Sequence, residues 1–315
     1  MRYTFLLLLF FCSALCLQAQ QDPQNTFFMY NQVMYNPAAA GSKGLPSFHA
    51  LYRQQWVGFQ GAPVSQMLTF DAPLAGDRVG VGLSVRHFSV GITTDWRAAM
   101  AYSYKIQLTP DAALRFGVQG SVHYLGLDFN DADVVTDKDN DQSFMNADAG
   151  QHYSGNAGAG IYFNYGDVLW ASVSVPSFYP VTFGVNNDTE LTATEAPHFY
   201  GAFGGLFPAS EKLAVKPSVL VKYAAHTPLD IDVNAALVYN DVLMIGLSYG
   251  LGGDSNGDNV SAMLGYQILH NMLLGAAYDY SLSNIKEVTD GSFEILLRYD
   301  VKGEKADLEN PRFFK

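Results

Sequence analysis

Apolar and polar residues alternate with a period of two along most of this chain, the spacing of a β-strand whose faces meet different surroundings. In 78–88, RVGVGLSVRHF, Val79, Val81, Leu83 and Val85 fall on one face and Gly80, Gly82, Ser84 and Arg86 on the other. In 96–108, WRAAMAYSYKIQL, Ala98, Met100, Tyr102, Tyr104 and Ile106 alternate with Arg97, Ala99, Ala101, Ser103, Lys105 and Gln107. Leu213, Val215, Val219, Val221 and Tyr223 stand against Lys216, Ser218 and Lys222, and Phe293, Ile295, Leu297 and Tyr299 against Glu294, Arg298 and Asp300.

A water-soluble sandwich alternates too, and the connections separate the two cases. After even-numbered predicted strands they are short turns: Pro73 to Asp77, Thr109 to Asp111, Tyr165 to Asp167, Pro208 to Glu211, Asn240-Asp241 and His270-Asn271. After odd-numbered strands they are mostly longer, notably 128–151 and 177–195. Short inner turns and long outer loops belong to a bacterial outer-membrane barrel, whose chain starts and ends on the inner side. The pattern predicts an all-β protein, a transmembrane antiparallel β-barrel over 47–302 of about 14 strands with both termini periplasmic; roughly 12 is the alternative count. Lipid offers no partner to a free backbone N–H or C=O, so such a sheet must close.

Within this frame the stretch 52–63, YRQQWVGFQGAP, acquires a reading. Tyr52 and Trp56 fit an aromatic girdle at the outer interface, Arg53 and Gln55 face the lumen, and Gln54 falls on the lipid side at headgroup level.

Composition agrees with a barrel. Charged residues make up 15%, against about 25% in an ordinary soluble domain. Aromatics reach 14% and glycines number 29. Arg2, the apolar run Phe5 to Phe11 and Leu17-Gln18-Ala19 form a Sec signal peptide over 1–19, which would take Cys12 and Cys16 with it. No disulfide or thiolate metal site is then available. Beyond the signal no apolar run reaches the ~20 residues of a helical span. Residues 20–46 would form a periplasmic segment or a plug, and 303–315 a periplasmic tail. A net charge of −12 without a basic patch argues against a nucleic-acid partner.

Candidate chemistry is thin. Asp137, Asp139, Asp141 and Asp148 resemble the start of a calcium loop, but Gln142 replaces the turn glycine and the last ligand is an Asp. The simpler reading is a solvated acidic loop, and Gly253 to Asp258 reads as paired Asx turns. There is no HExxH or P-loop, so no enzyme activity and no cofactor are expected. The lumen-side charges Arg53, Arg86, Arg97, Lys105, Arg115, Lys216, Lys222, Glu294, Arg298 and Asp300 either pair across a closed interior or line a pore or docking lumen of net positive charge. Pairing is the preferred reading.

The chain also resembles the PorP/SprF family of type IX secretion outer-membrane proteins of Bacteroidota. The resemblance runs through QQDPQNTFFMYNQVMYNPAAAGSKG at 20–44, which contains Asn36-Pro37, and ALYRQQWVGFQGAPVSQMLTFDAPL at 50–74, which contains Tyr52, Arg53, Gln54, Gln55 and Trp56. It continues in RVGVGLSV at 78–85, KPSVLVKY at 216–223, GAAYDYSLSNIKEVTDGSFEILLRYD at 275–300 and NPRFF at 310–314. It implies a non-enzymatic role in secreting or anchoring surface proteins, linked to gliding in some members. It implies as partners cargo with a type B C-terminal domain, periplasmic type IX machinery or a peptidoglycan-binding lipoprotein, and outer-membrane lipid. The alternative function is a passive porin for small solutes.

Overall fold

The computed structural model describes residues 25–127, 150–184, 192–225, 227–252 and 259–301. The signal peptide expected over 1–19, the calcium candidates Asp137, Asp139, Asp141 and Asp148, the loop Gly253 to Asp258 and the tail 303–315 lie outside the described residues.

Fourteen strands form the wall: β1 Ser47–Gln54, β2 Val64–Leu74, β3 Val79–Val90, β4 Thr93–Gln107, β5 Ala112–Leu127, β6 Gly150–Tyr165, β7 Leu169–Val175, β8 His198–Gly205, β9 Leu213–Ala224, β10 Asp230–Tyr239, β11 Leu243–Leu251, β12 Asn259–Leu269, β13 Met272–Ser281 and β14 Ser292–Asp300. Each pairs antiparallel with its sequence neighbours, and β1 pairs with β14 from Ser47↔Asp300 to Gln54↔Phe293, so the sheet has no free end. Phe207–Pro208 prolongs the β8–β9 pairing, and a small ribbon, Val181–Gly184 with Thr192–Glu195, stands between β7 and β8.

The connections keep the expected phase. Residues 75–78, 108–111, 166–168, 206–212, 240–242 and 270–271 follow even-numbered strands and mark one rim. Ser47 and Asp300 lie opposite each other at that same rim, so the barrel begins and ends there. The other rim carries the longest segments, 128–149 and 176–197, but also short ones, 225–229 and one of two residues. Between β3 and β4 only Gly91 and Ile92 intervene.

The faces also follow the alternation. Leu68, Val85, Met100, Val118, Val173, Leu247, Leu264 and Ile295 are exposed on the outside, as lipid-facing residues of a barrel should be. Exposed rings flank this band on both sides: Phe48, Tyr104, Tyr165, Tyr239, Tyr266 and Tyr299 near the short-turn rim, Trp96, Tyr153, Tyr223, Tyr249 and Tyr280 near the other. Tyr52 lies on this outer face, its ring 5.8 Å from Phe293. Its hydroxyl donates to Gln54 Oε1 at 3.3 Å, which gives the lipid-side amide a partner. β1 ends at Gln54, so Gln55 and Trp56 belong to the turn rather than to alternating faces. Gln55 N–H donates to Pro63 O at 2.9 Å, and Trp56 takes a left-handed φ of 47°.

Candidate functional site: a plugged lumen

The inside of the barrel is filled by the chain's own N-terminal segment. Asn25 to Asn31 are all buried, with Phe27 0% and Tyr30 1% exposed. Phe27-Phe28-Met29-Tyr30 has no period-two partner and cannot form a strand with a polar face. It packs instead on a half-circle of inward apolar residues, among them Leu51, Met67, Leu220, Val238, Met244, Leu273 and Leu296. Burying each of Phe27, Phe28 and Met29 is worth roughly 1.5–3 kcal/mol. A water-filled channel would leave the wall residues wet, so this half of the wall is built for a solid filling.

Polar groups fix the segment's position. Thr26 N–H and Phe27 N–H donate to the two carboxylate oxygens of Glu294, each at 2.9 Å. Arg53 bridges the same carboxylate at 3.1 Å and Asp279 at 2.6 Å. It also donates to Thr26 Oγ1 at 3.2 Å, while Asn234 Nδ2 donates to Thr26 O at 2.9 Å. A buried carboxylate that receives two backbone N–H groups and a guanidinium is a specific clamp, since the two N–H groups would otherwise be orphaned.

The segment then crosses the lumen to the opposite wall. Asn36 caps the 3₁₀ turn Pro37–Ala39, its Oδ1 accepting from Ala38 N–H at 2.9 Å, with Pro37 at the first position where a missing N–H costs nothing. The amide nitrogen of Asn36 donates to Ile161 O at 3.0 Å and Val173 O at 3.3 Å, tying the turn to β6 and β7. Tyr35 O accepts from Ser174 at 2.7 Å, Ala40 O from Ser103 at 2.7 Å, and Asp71 accepts Gly41 N–H at 2.9 Å. Gly41 has φ +67° and any Cβ there would stand 2.9 Å from the Gly80 Cα. A Cβ on Gly80 would strike Ala40 O in turn, so backbone meets backbone and both positions need glycine.

Gly82, Gly117, Gly160 and Gly275 are cut to the same purpose. A side chain on them would meet Val33, Ala38, Asn36 and Phe27 respectively. These inward glycines form a lane for the segment, whereas Gly204 and Gly246 leave room for side chains of neighbouring strands, Trp170 and Ser218 in one case and Ala236 and Met263 in the other. Gly117→Ala is expected to lower stability by about 1–3 kcal/mol through overpacking against the Ala38 backbone. Gly120→Ala, on the outer face with nothing within 4 Å, should change it by less than about 0.5 kcal/mol. Urea unfolding of both variants in the same detergent checks the difference.

All the inward charges read from the sequence lie in the lumen, and the structure supplies their partners. Arg86 and Arg97 each stand 3.7 Å from Asp95, and Arg97 also forks onto Glu195 at 2.8 and 2.9 Å. His123 Nε2 is 2.8 Å from Asp95. Lys105 and Arg115 share Asp77 at 2.7 and 2.8 Å, and Lys222 contacts Asp230 and Asp232 at 3.3 and 3.1 Å. Arg298 is held by Asp300 at 2.6 Å, and Lys216 sits 4.5 Å above the Tyr30 ring. Among the described residues the lining has no net positive charge, because Asp71, Asp77, Asp95, Glu195, Asp230, Asp232 and Asp279 offset the cations. They escape a strand-by-strand reading because many sit in turns or at strand ends. Among the described residues no group of acidic, histidine or cysteine side chains could hold a metal ion.

A family model for the type IX secretion system membrane protein PorP/SprF matches residues 17–299. The chain belongs to the PorP/SprF family. That membership carries a role in type IX secretion and, with the barrel, a place in the outer membrane. No functionally curated protein matches this PorP/SprF chain. Among solved structures it is similar to the Acinetobacter baumannii outer membrane protein Omp33 (8% identity, 82% of this chain and 100% of that one, TM-score 0.49). It is also similar to the CymD monoaromatic hydrocarbon channel (9%, 87% and 93%, 0.49) and a Pseudomonas aeruginosa FadL homologue (13%, 89% and 95%, 0.46). These likenesses do not bear on what the PorP/SprF protein carries or binds. Of the residues quoted for the resemblance, Asn36-Pro37 forms the turn of the plug and Arg53 its clamp, at opposite walls, while Tyr52 and Gln54 face outward and Gln55 and Trp56 lie in the turn.

Proposed function

We propose that this protein is a closed, non-enzymatic outer-membrane anchor of type IX secretion, which helps secrete or retain surface proteins bearing a type B C-terminal domain. The plug is the observation that favours this reading over a porin. A lumen packed with Phe27 to Tyr30 on one side and Asn36 to Gly41 on the other offers solutes no wide path, and a protein that conducts nothing has use for its rims instead. In this reading the short-turn rim, where the barrel begins and ends, faces the periplasm and meets type IX machinery or a peptidoglycan-binding lipoprotein. The long-loop rim faces outward to the cargo, an adhesin in gliding members, and a signal peptide over 1–19 delivers the chain.

Affinity purification of the tagged protein from its own outer membrane in mild detergent, followed by mass spectrometry, should recover a large secreted protein with a type B C-terminal domain, a peptidoglycan-binding lipoprotein, or both. A deletion strain should lose such cargo from its surface. Recovery of the barrel alone, with every type B protein still displayed in the deletion strain, would overturn the proposal.

A further inference from the structure

The register sets two rows of residues side by side on the outer face of β6 to β9. In one, Gly201 stands between Val173 and Val221; in the next, nearer the short-turn rim, Ala171 stands between Phe163 and Phe203. Gly201 and Ala171 are diagonal neighbours, and where they lack bulk the wall is hollowed into a trough of about 450 Å³. The larger side chains on either side form its flanks. Ser172 is the one polar residue on the lining, and alternation puts it on the lumen side of β7.

The trough lies inside the lipid-facing band. Phe199 and Tyr223, paired with ring centroids 6.2 Å apart, stand next to Gly201 on the long-loop side, and Tyr165 follows Phe163 on the other. Val173 is 57% and Phe203 46% exposed, so the hollow opens outward. A Cβ on Gly201 would meet nothing within 4 Å, unlike one on Gly82 or Gly117, whose missing side chains make way for the plug. A glycine inside a strand weakens it and often marks a place where a ligand approaches the backbone closely.

The nature of the filling follows from the surroundings. A water needs about two to four polar partners, which this lining does not offer. A second copy related by a two-fold axis would set the same patch against itself, so two hollows would face each other and the void would double. A single acyl chain is thin, flexible and already present at this depth. Lipid tails are as apolar as the wall, so no hydrophobic gain favours the contact; what remains is dispersion, which a gap forfeits and a seated chain recovers. The chain also packs over β7, at seven residues the shortest strand of the wall.

We propose that this trough binds one acyl chain of a membrane lipid as a defined, slowly exchanging ligand, lying over Ala171 and Gly201 and passing between Val173 and Phe203. Recognition rests on the chain and not on the headgroup, because the lining carries no charged side chain among the described residues. The proposal is independent of the cargo-anchoring role.

Native mass spectrometry of the full barrel released from micelles, with dioleoylphosphatidylethanolamine added, tests it. One lipid should stay bound under activation that strips the rest, and dioleoylphosphatidylglycerol, with the same chains, should be retained equally. Gly201→Leu, which fills the trough, should lower the one-lipid species about fivefold or more, since the chain loses its seat. Gly120→Leu adds the same side chain to the outer face of β5, where a Cβ also meets nothing within 4 Å, and should match the parent. Heat-modifiable migration on a gel shows that both variants are folded. Failure to retain a lipid, equal retention by Gly201→Leu and the parent, or retention of one headgroup only would overturn the proposal. A dimer that Gly201→Leu abolishes, with no lipid retained, would overturn it in favour of a second copy.

Discussion

Deletion of residues 25–41 is expected to raise the ion conductance of the barrel in planar bilayers at least tenfold, from a silent or nearly silent state. Eight-stranded barrels are filled by their own side chains, and porins of 16–18 strands hold an aqueous channel. Fourteen strands enclose a lumen nearer the second case, and the wall fills it only with help. The apolar half-circle around Leu51, Met67, Leu220 and Leu296 and the glycine lane of Gly80, Gly82, Gly117 and Gly160 both become concave when the segment is removed. Heat-modifiable migration on a gel establishes that the shortened barrel is folded before it is recorded. A folded, shortened barrel that still passes no current would mean that the long-loop rim, not the segment, seals it.

Arg53→Met is expected to be the most damaging single substitution, at about 3–5 kcal/mol, the usual consequence of stripping one partner from a buried ion cluster. The Arg53 side chain is 2% exposed and contacts Asp279 and Glu294, themselves 3% and 0% exposed. Without it two carboxylates are left in one dry site. The change should appear as a lower urea midpoint in micelles, with a large part recovered when Asp279→Asn and Glu294→Gln are added. Arg78→Met on an exposed turn should stay within about 0.5 kcal/mol. If the triple variant were no more stable than Arg53→Met alone, the repulsion argument would fail and the loss would lie in packing.

The wall was legible because lipid and lumen impose opposite demands on neighbouring residues. Val79, Val81, Leu83 and Val85 could only face outward if Gly80, Gly82 and Arg86 faced in, and the short turns after even-numbered strands set the phase. The filling was not legible in the same way. Its signal was present in Phe27-Phe28-Met29-Tyr30, an apolar block too compact for a strand and too greasy for a free periplasmic segment. No periodicity links it to Met244 or Leu273, far along the chain. The glycine positions were visible but their reason was not, since a missing side chain marks space without saying what occupies it. The acids Asp77, Asp232 and Asp279 were overlooked because pairing partners in a barrel are neighbours across strands and through the lumen, not along the chain. Nor does alternation foretell that β7 would be seven residues long or that a separate ribbon would follow it.

The Glu294 clamp has a consequence for biogenesis. Its donors, Thr26 and Phe27, are separated from it by 268 and 267 residues of sequence. It lies on β14, the strand whose pairing with β1 shuts the cylinder. A nascent barrel missing its last hairpin has neither a closed wall nor an acceptor for those two N–H groups. Seating of the N-terminus and sealing of the wall are thus one late event in assembly, and a chain that reached the membrane with its first and last segments unmatched would remain an open sheet, recognisable to quality control by the same edge that closure removes.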